Sequence, residues 1–184
     1  MKTFKHLVLP LSIIVLLLSA CSNQTTETKT AESMSEEISQ SSGNWQAKVD
    51  ELSNQNVQEI KEDLSQLNKI VDHLNSQSEQ LRSEIVLANQ DTTKIKKILE
   101  KSQVMQQKGL LDLMNLNLKT SEVQAIRTKM IENLMLTEQM HDLSNQEDFD
   151  MKNPSAEFKN LALRSQILQK DIFVELDHLN NEFQ

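Results

Sequence analysis

The sequence predicts an all-α protein in which long amphipathic helices form an antiparallel helical bundle or a coiled-coil hairpin, preceded by a disordered tether. The 184-residue chain contains two glycines and two prolines, whereas β-rich and α/β domains need many tight turns, which glycine supplies most easily. Apolar residues recur at heptad spacing for about six heptads from residue 57. Residues 22–44, just before this pattern, are mostly Ser, Thr, Gln and Glu and offer little to bury.

The first residues have the three parts of a secretion signal. Two lysines precede an apolar run from Leu7 to Leu18, which leads into small residues. A basic head, an apolar stretch of roughly a dozen residues and small residues before the cleavage site are what export requires. A transmembrane helix needs about 20 apolar residues, and this run is shorter and contains Pro10.

The end of this signal, Leu18-Ser19-Ala20-Cys21, resembles the bacterial lipobox, in which a leucine and two small residues precede the cysteine that receives lipid. The resemblance implies that residues 1–20 are a signal peptide and that Cys21 is lipidated with a diacylglycerol thioether and acyl chains such as palmitate. Two buried chains, at about 0.8 kcal/mol per CH₂, anchor a protein stably. The lipoprotein is then expected on the extracytoplasmic face of the cell membrane, or in the outer membrane if the organism is diderm.

After cleavage, residues 21–44 form a lipidated, disordered tether, and residues 45–184 form the helical domain. The mature chain keeps 17 Lys and Arg against 27 Asp and Glu, a net charge of -10. Such an acidic chain is not expected to bind nucleic acid, which requires clustered basic residues. The densest basic cluster is Lys94, Lys96, Lys97 and Lys101. We interpret it as a solvated helical face, with attraction to anionic lipid headgroups or cell-wall polymers as the alternative.

The heptad pattern predicts the first long helical segment. The a series is Val57, Leu64, Val71, Ser78, Ile85, Thr92 and Leu99, and the d series is Ile60, Leu67, Leu74, Leu81, Ala88, Ile95 and Ser102. A dimeric coiled coil would carry mostly Glu and Lys at the flanking positions. Here the flanks are rich in Asn and Gln, and Ile70 and Ile98 widen the apolar stripe. A broad stripe favours an intramolecular bundle, with self-association as a secondary possibility.

The heptad pattern is interrupted at two places. Upstream, Trp45, Val49 and Leu52 keep helical spacing but are one residue out of phase with Val57, which implies a local adjustment near residues 54–56. Downstream, residues 89–92 allow either one continuous helix or a turn in which Asp91 or Thr92 caps a second helix.

Gly109 predicts the next break, followed by an apolar patch that we assign to a helix or a hydrophobic connection. Another helix is predicted from Ser121, whose spacing to Gln124 fits a capping box. Its expected inner face is Val123, Ile126, Met130, Ile131 and Leu134, with His141 or Leu143.

The last helix is predicted after residues 144–153, with Asn153 as the cap and Pro154 at the first helical position. Its expected inner face is Phe158, Leu161, Leu168, Ile172, Leu176, Leu179 and Phe183. A second apolar row, Leu163, Ile167, Phe173 and Val174, predicts that this is the most deeply buried helix.

The sequence offers little for catalysis. The single cysteine is assigned to lipid, and glycine-rich phosphate loops and zinc-protease motifs are absent. His73, His141 and His178 each adjoin an Asp, but neighbours on a helix do not face each other. We therefore predict no enzyme activity and no catalytic, metal or cofactor-binding residues. The loose series Met105, Met114, Met130, Met135 and Met140 predicts adaptable core filling, or alternatively a pliable groove for apolar peptides.

By subtraction, the sequence favours a lipid-anchored scaffolding or interaction protein that binds a protein partner in the cell envelope. One alternative is a surface-exposed adhesin or a mating or phage exclusion lipoprotein. The apolar end of the signal, residues 12–19, also resembles the hydrophobic peptides that enterococcal lipoprotein signals release as mating pheromones, and this is a further alternative.

Overall fold

A computed structural model describes residues 41–89, 91–150 and 152–183. Within them the chain forms four α-helices and no strand, which confirms the all-α prediction. The helices are α1 (Val57–Ala88), α2 (Thr92–Met114), α3 (Ser121–Ser144) and α4 (Ala156–Phe183), and a 3-10 helix, Val49–Glu51, precedes them. The predicted signal peptide, Cys21 and most of the predicted tether lie outside the described residues.

The helices pair as two antiparallel hairpins, α1 with α2 and α3 with α4. In the first hairpin Lys101 bonds Glu84 at 2.7 Å. In the second, Ser165 donates to Asn133 at 2.5 Å. Each contact joins two helices that are consecutive in the chain, which is the pairing of an antiparallel hairpin.

The first long helix starts later than the sequence spacing suggests. Gln55 adopts a positive φ of 60°, and the Asn56 side chain then caps α1 by accepting from the Glu59 N–H. The adjustment expected near residues 54–56 is therefore present. The helical spacing of Trp45, Val49 and Leu52 was misleading, because this stretch holds only the short 3-10 helix and Val49 is 61% exposed.

The heptad pattern spans two helices and not one, because α1 ends at Asn89 and Asp91 caps the start of α2. Asn89 ends α1 in the left-handed region at φ 46°, a conformation that Asn tolerates better than most residues. Asp91 caps α2 by accepting from the N–H groups of Thr93 and Lys94. All seven d positions are buried, as the pattern predicts, whereas the first a position, Val57, is 52% exposed.

Gly109 is not a break, contrary to its prediction from sequence. It lies inside α2, which continues to Met114. A β-carbon at Gly109 would sit 2.8 Å from Leu74 Cδ2, so the absence of a side chain lets α2 approach α1 closely. Glycine here serves helix packing, while the helix ends at Asn115.

Two predicted helix caps are also wrong, although the helices themselves are present. Thr120 is the N-cap of α3, and no side chain completes a capping box there. The Gln124 side chain instead donates to backbone oxygens of the segment that precedes α1. At α4 the Phe158 N–H donates to the Ser155 hydroxyl at 3.1 Å, so Ser155 takes the capping role expected of Asn153.

The inner faces of α3 and α4 are largely as expected, but α4 is not the most buried helix. Its predicted second row is at the surface, with Leu163 56%, Ile167 53%, Val174 54% and Phe173 38% exposed. That prediction was wrong because α4 packs mainly against α3, and to a smaller extent against α1, along one face. No other element of the described residues packs on the opposite face, so the apolar row there is exposed.

The two hairpins share one core at one end of the molecule, which we call the base. This shared core takes side chains from all four helices, including Leu64, Leu67, Leu113, Ile126 and Ile172. Burial of such apolar surface supplies most of the stabilisation of a fold without disulfides.

Beyond the shared core, each hairpin has its own. One cluster, between Leu74 and Met105, belongs to α1 and α2. The other, which includes Leu136 and Phe158, belongs to α3 and α4. The 32 residues of α1 span about 48 Å, so the turn at residues 89–91 lies far from the base.

Candidate functional site at the base of the bundle

The connection between α2 and α3 holds the segment that precedes the bundle. We call residues 41–53 the docking segment. The Asn44 side chain donates to Leu118 O at 2.6 Å and accepts from Leu118 N at 2.9 Å. Ser53 pairs by its backbone with Lys119 and Ser121 in a short parallel bridge. The last residues of the predicted tether are thus fixed to the base.

Close packing defines the start of the docking segment. A β-carbon at Gly43 would lie 2.1 Å from the Met114 carbonyl oxygen, so any side chain there would collide with the backbone at the end of α2. Next to it, Trp45 packs partly on the shared core, and its indole N–H donates to the Ser41 hydroxyl at 2.9 Å.

Arg127 of α3 lies fully buried beneath this segment, with 0% of the residue exposed. It donates to Leu116 O at 2.5 Å, to Asn44 O at 2.9 Å and to Asn44 Oδ1 at 3.0 Å, and it also contacts the Gln124 side-chain oxygen. Gln124 in turn donates to the backbone oxygens of Trp45 and Ala47. Two α3 side chains therefore hold the docking segment through its backbone.

Asp63 of α1 is the second fully buried charged residue, at 0% exposed. Its Oδ2 accepts from the Lys119 N–H, the Thr120 N–H and the Thr120 hydroxyl, each at 2.8 Å. A carboxylate bonded to N–H groups at a helix N-terminus satisfies donors that the helix leaves free. Asp63 thereby fixes the start of α3 against α1.

We call these interacting residues the base cluster: Asn44, Asp63, Thr120, Gln124 and Arg127. Desolvation lowers the pKa of Arg127 to about 10, while the negative charge of Asp63 opposes the shift. The guanidinium therefore stays charged at neutral pH. Among the described residues, Asp63 Oδ1 and Arg127 Nε have no hydrogen-bond partner.

The hydrogen bonds of the base cluster indicate a structural role, which is to hold the docking segment and the start of α3 in place. Arg127 and Asp63 bond mainly to backbone groups and are inaccessible to solvent, so neither presents a reactive atom to a substrate. Sequence reasoning missed both residues. Asp63 has a flanking heptad position that normally faces water. Arg127 gave a usable signal, because it lies one helical turn from both Val123 and Met130 on the inner face of α3.

A small pocket lies between α2 and α3, where the hairpins diverge. Gln103, Gln106 and Leu110 line one side, and Leu134, Glu138 and His141 the other. Burial, with help from Asp142, raises the pKa of Glu138. Burial lowers the pKa of His141, against the opposing effect of Asp142. His141 is thus partly buried, as the alternative placement of His141 on the inner face of α3 allowed, whereas His73 and His178 are exposed.

The remaining candidates from the sequence are spread over the surface and the core. In the basic cluster Lys94 pairs with Asp91 at 3.4 Å and Lys101 with Glu84 at 2.7 Å. Four of the five methionines in the series are buried, while Met135 is 36% exposed, so core filling describes the series better than a groove does.

Neither a metal site nor a membrane span is found in the described part of the chain. Residues 41–89, 91–150 and 152–183 contain no group of three or more His, Cys, Asp or Glu side chains placed to hold a metal ion. No helix among them has the length and apolar character needed to cross a bilayer.

The fold and its base define a class of protein: a helical bundle with the segment that precedes it fixed to one end. The chain belongs to the family described as "Uncharacterised lipoprotein PM1805", whose model matches residues 61–184. The match covers α2, α3 and α4 and all but the first turn of α1. The protein is therefore a bacterial lipoprotein, as its lipobox indicated, and such a protein is held at a membrane of the cell envelope by its lipid. No curated protein and no solved structure matches the chain.

Proposed function

We propose that this lipoprotein is a non-catalytic interaction protein, lipidated at Cys21 on the extracytoplasmic face of the membrane, whose hairpins bind a protein partner in the cell envelope. In this proposal residues 1–20 are the cleaved signal, residues 21–44 the lipidated tether and residues 45–184 the binding domain.

The observation that carries the proposal is the direction of the helices relative to the docking segment. The segment is fixed where α1 and α3 begin and α2 ends. Both hairpin turns, residues 89–91 and 145–155, therefore lie at the opposite end. A chain held by lipid at its N-terminus would present these turns away from its attachment.

The far end of the first hairpin supplies a contact surface. Val86 and Leu87 are 79% and 78% exposed in the last turn of α1. Isolated exposed apolar residues are common, but two adjacent ones at the end of a projecting hairpin favour contact with another protein. What supports a non-catalytic role is that the buried charged groups bond to the protein backbone.

Site-specific photocrosslinking in living cells tests this proposal. A benzophenone side chain at Leu87 is expected to crosslink to an envelope protein, whereas the same group at Gln58, exposed near the base of α1, is the matched control. Equal crosslinking at Leu87 and Gln58, or none at positions 86 and 87, would contradict a partner site at the far end of the first hairpin. Hydrolase activity in the purified domain would contradict a non-catalytic role.

The same architecture suits a surface-exposed adhesin or an exclusion lipoprotein. Proteolysis of intact cells distinguishes such a surface-exposed protein from one that is bound to a partner within the envelope. An adhesin is cleaved in the exposed turn at residues 145–155, while a partner-bound envelope protein is protected there until the cells are broken. The pheromone alternative concerns residues 12–19 alone, and a synthetic peptide of that sequence in a mating-response assay tests it.

A further inference from the structure

The outer face of α4 is an apolar stripe that no part of the described chain covers. Leu163, Ile167 and Val174 are each more than half exposed. At 3.6 residues per turn these three lie within about 40° of one another around the helix. They are opposite Leu161, Ile172 and Leu176, which are buried against the bundle.

We propose that this stripe binds the same stripe of a second copy of the protein, with the two α4 helices antiparallel and related by a two-fold axis between Leu168 and Gln169. That register places Leu163 of each copy against Val174 of the other. Ile167 then lies against the aliphatic part of Lys170. Such an interface is self-complementary, as a two-fold dimer requires.

Charges beside the stripe support this partner and this direction. In antiparallel helix pairs, charged residues on the same flank come within reach when their distances from the axis differ by about two residues or fewer, which is about 3 Å along the helix. On one flank this brings Lys159 near Asp177, and on the other it brings Arg164 near Asp171. Because the axis duplicates each pair, the dimer has four contacts between opposite charges. Arg164 also bonds Glu132 within its own chain at 3.0 Å, so Lys159 and Asp177 give the cleaner test.

A parallel pair of the same helices would be unfavourable. Lys170 would face Lys170 of the other copy, and Lys159 would approach Arg164 across one flank. Like charges at facing positions destabilise helix pairs. The charge pattern therefore selects the antiparallel arrangement.

The stripe is small, so the dimer is expected to be weak in dilute solution. Stable dimers bury about 1,200–2,000 Å² in total, more than a few exposed side chains supply. Attachment to a membrane raises the local concentration of the chains and favours such weak contacts.

Cysteine crosslinking of the full chain in intact cells tests the register. Differently tagged L163C and V174C chains are expressed together and treated with a short bismaleimide. The wild-type chain, whose single cysteine is Cys21, gives the background, and Q80C on the exposed face of α1 is the matched control. The proposal predicts a mixed L163C–V174C dimer several-fold above that of either variant alone and above both controls.

The other outcomes overturn the proposal. Efficient dimers of L163C alone would mean a parallel pair. A product of L163C with a different protein would mean that another partner covers the stripe. No product above background, although a monofunctional maleimide labels both cysteines, would mean that the stripe stays free.

A charge exchange tests the flanking contacts in an independent way. With L163C and V174C as reporters, K159D and D177K are each expected to lower the dimer yield several-fold, because each creates like-charge pairs. Both changes in the same chain are expected to restore it. The register would be refuted if the single changes left the dimer yield unaltered, or if the two changes together failed to restore it. Failure here leaves the proposed function intact, because that is tested at Leu87 on a different helix.

Discussion

Replacement of Asp63 by alanine is expected to destabilise the protein strongly, although Asp63 is one carboxylate in an acidic chain. Its Oδ2 accepts three hydrogen bonds of 2.8 Å at the start of α3. Without it, two backbone N–H groups lose their acceptor, while the Thr120 hydroxyl can rotate toward another. A buried donor left without a partner costs about 1–3 kcal/mol. The loss of a negative charge near buried Arg127 adds to this, so we expect about 3–5 kcal/mol.

Urea unfolding of residues 41–184, followed by far-UV circular dichroism, measures this loss. Asp72→Ala is the matched control, because Asp72 is an exposed aspartate on the same helix, and it should change the free energy of unfolding by less than about 0.5 kcal/mol. Asp63→Asn keeps one oxygen for the three donors and should fall between the two. A loss below about 1 kcal/mol for Asp63→Ala would refute the reasoning, since three bonds to a buried carboxylate cannot be worth so little.

Three further changes test other parts of the structure. Gly43→Ala places a β-carbon against the end of α2, so the docking segment should detach and the fluorescence of the single tryptophan, Trp45, should shift to the red while helix content stays constant. Gly109→Leu forces α2 away from Leu74 and should cost about 1–3 kcal/mol in urea unfolding. Because burial lowers the pKa of His141, the unfolded chain binds the proton first as pH falls below about 6.5, and the fold loses stability there. His141→Gln should reduce that loss, whereas an unchanged pH profile would show that His141 is not its source.

The sequence predicts the helices well because burial and periodicity are coupled in long helices. Every d position from Ile60 to Ser102 is buried, even though a turn interrupts the series at residues 89–91. The pattern survives the turn because both helices of a hairpin direct the same kind of stripe toward their shared interface. A heptad count alone therefore could not decide between one helix and two.

The role of Gly109 and the exposure of one face of α4 could not be predicted from periodicity, because each depends on which helix packs alongside. Gly109 is a breaker in an isolated helix, but here it allows close contact with Leu74, and only the packing of α2 on α1 reveals that. The row containing Leu163 and Ile167 has the composition of a core face. It is exposed because no further element within residues 41–89, 91–150 and 152–183 packs on that face of α4.

The base cluster shows why charged sites are harder to predict than cores. Asp63 resembles a solvated flanking residue, and its role arises from backbone N–H groups that lie 56 and 57 residues further along the chain. Arg127 was detectable, since a charge at an inner-face position must find partners when it is buried. Its partners in the docking segment, however, lie beyond the reach of local patterns.

We propose that lipid attached to Cys21 holds this bundle at the membrane. Mass spectrometry of the N-terminal peptide from membrane fractions tests that claim most directly. A mature chain that begins at Cys21 and carries a diacylglycerol thioether is predicted, and Cys21→Ser should release the protein from the membrane. An intact peptide that spans residues 18–21 with a free thiol would contradict it.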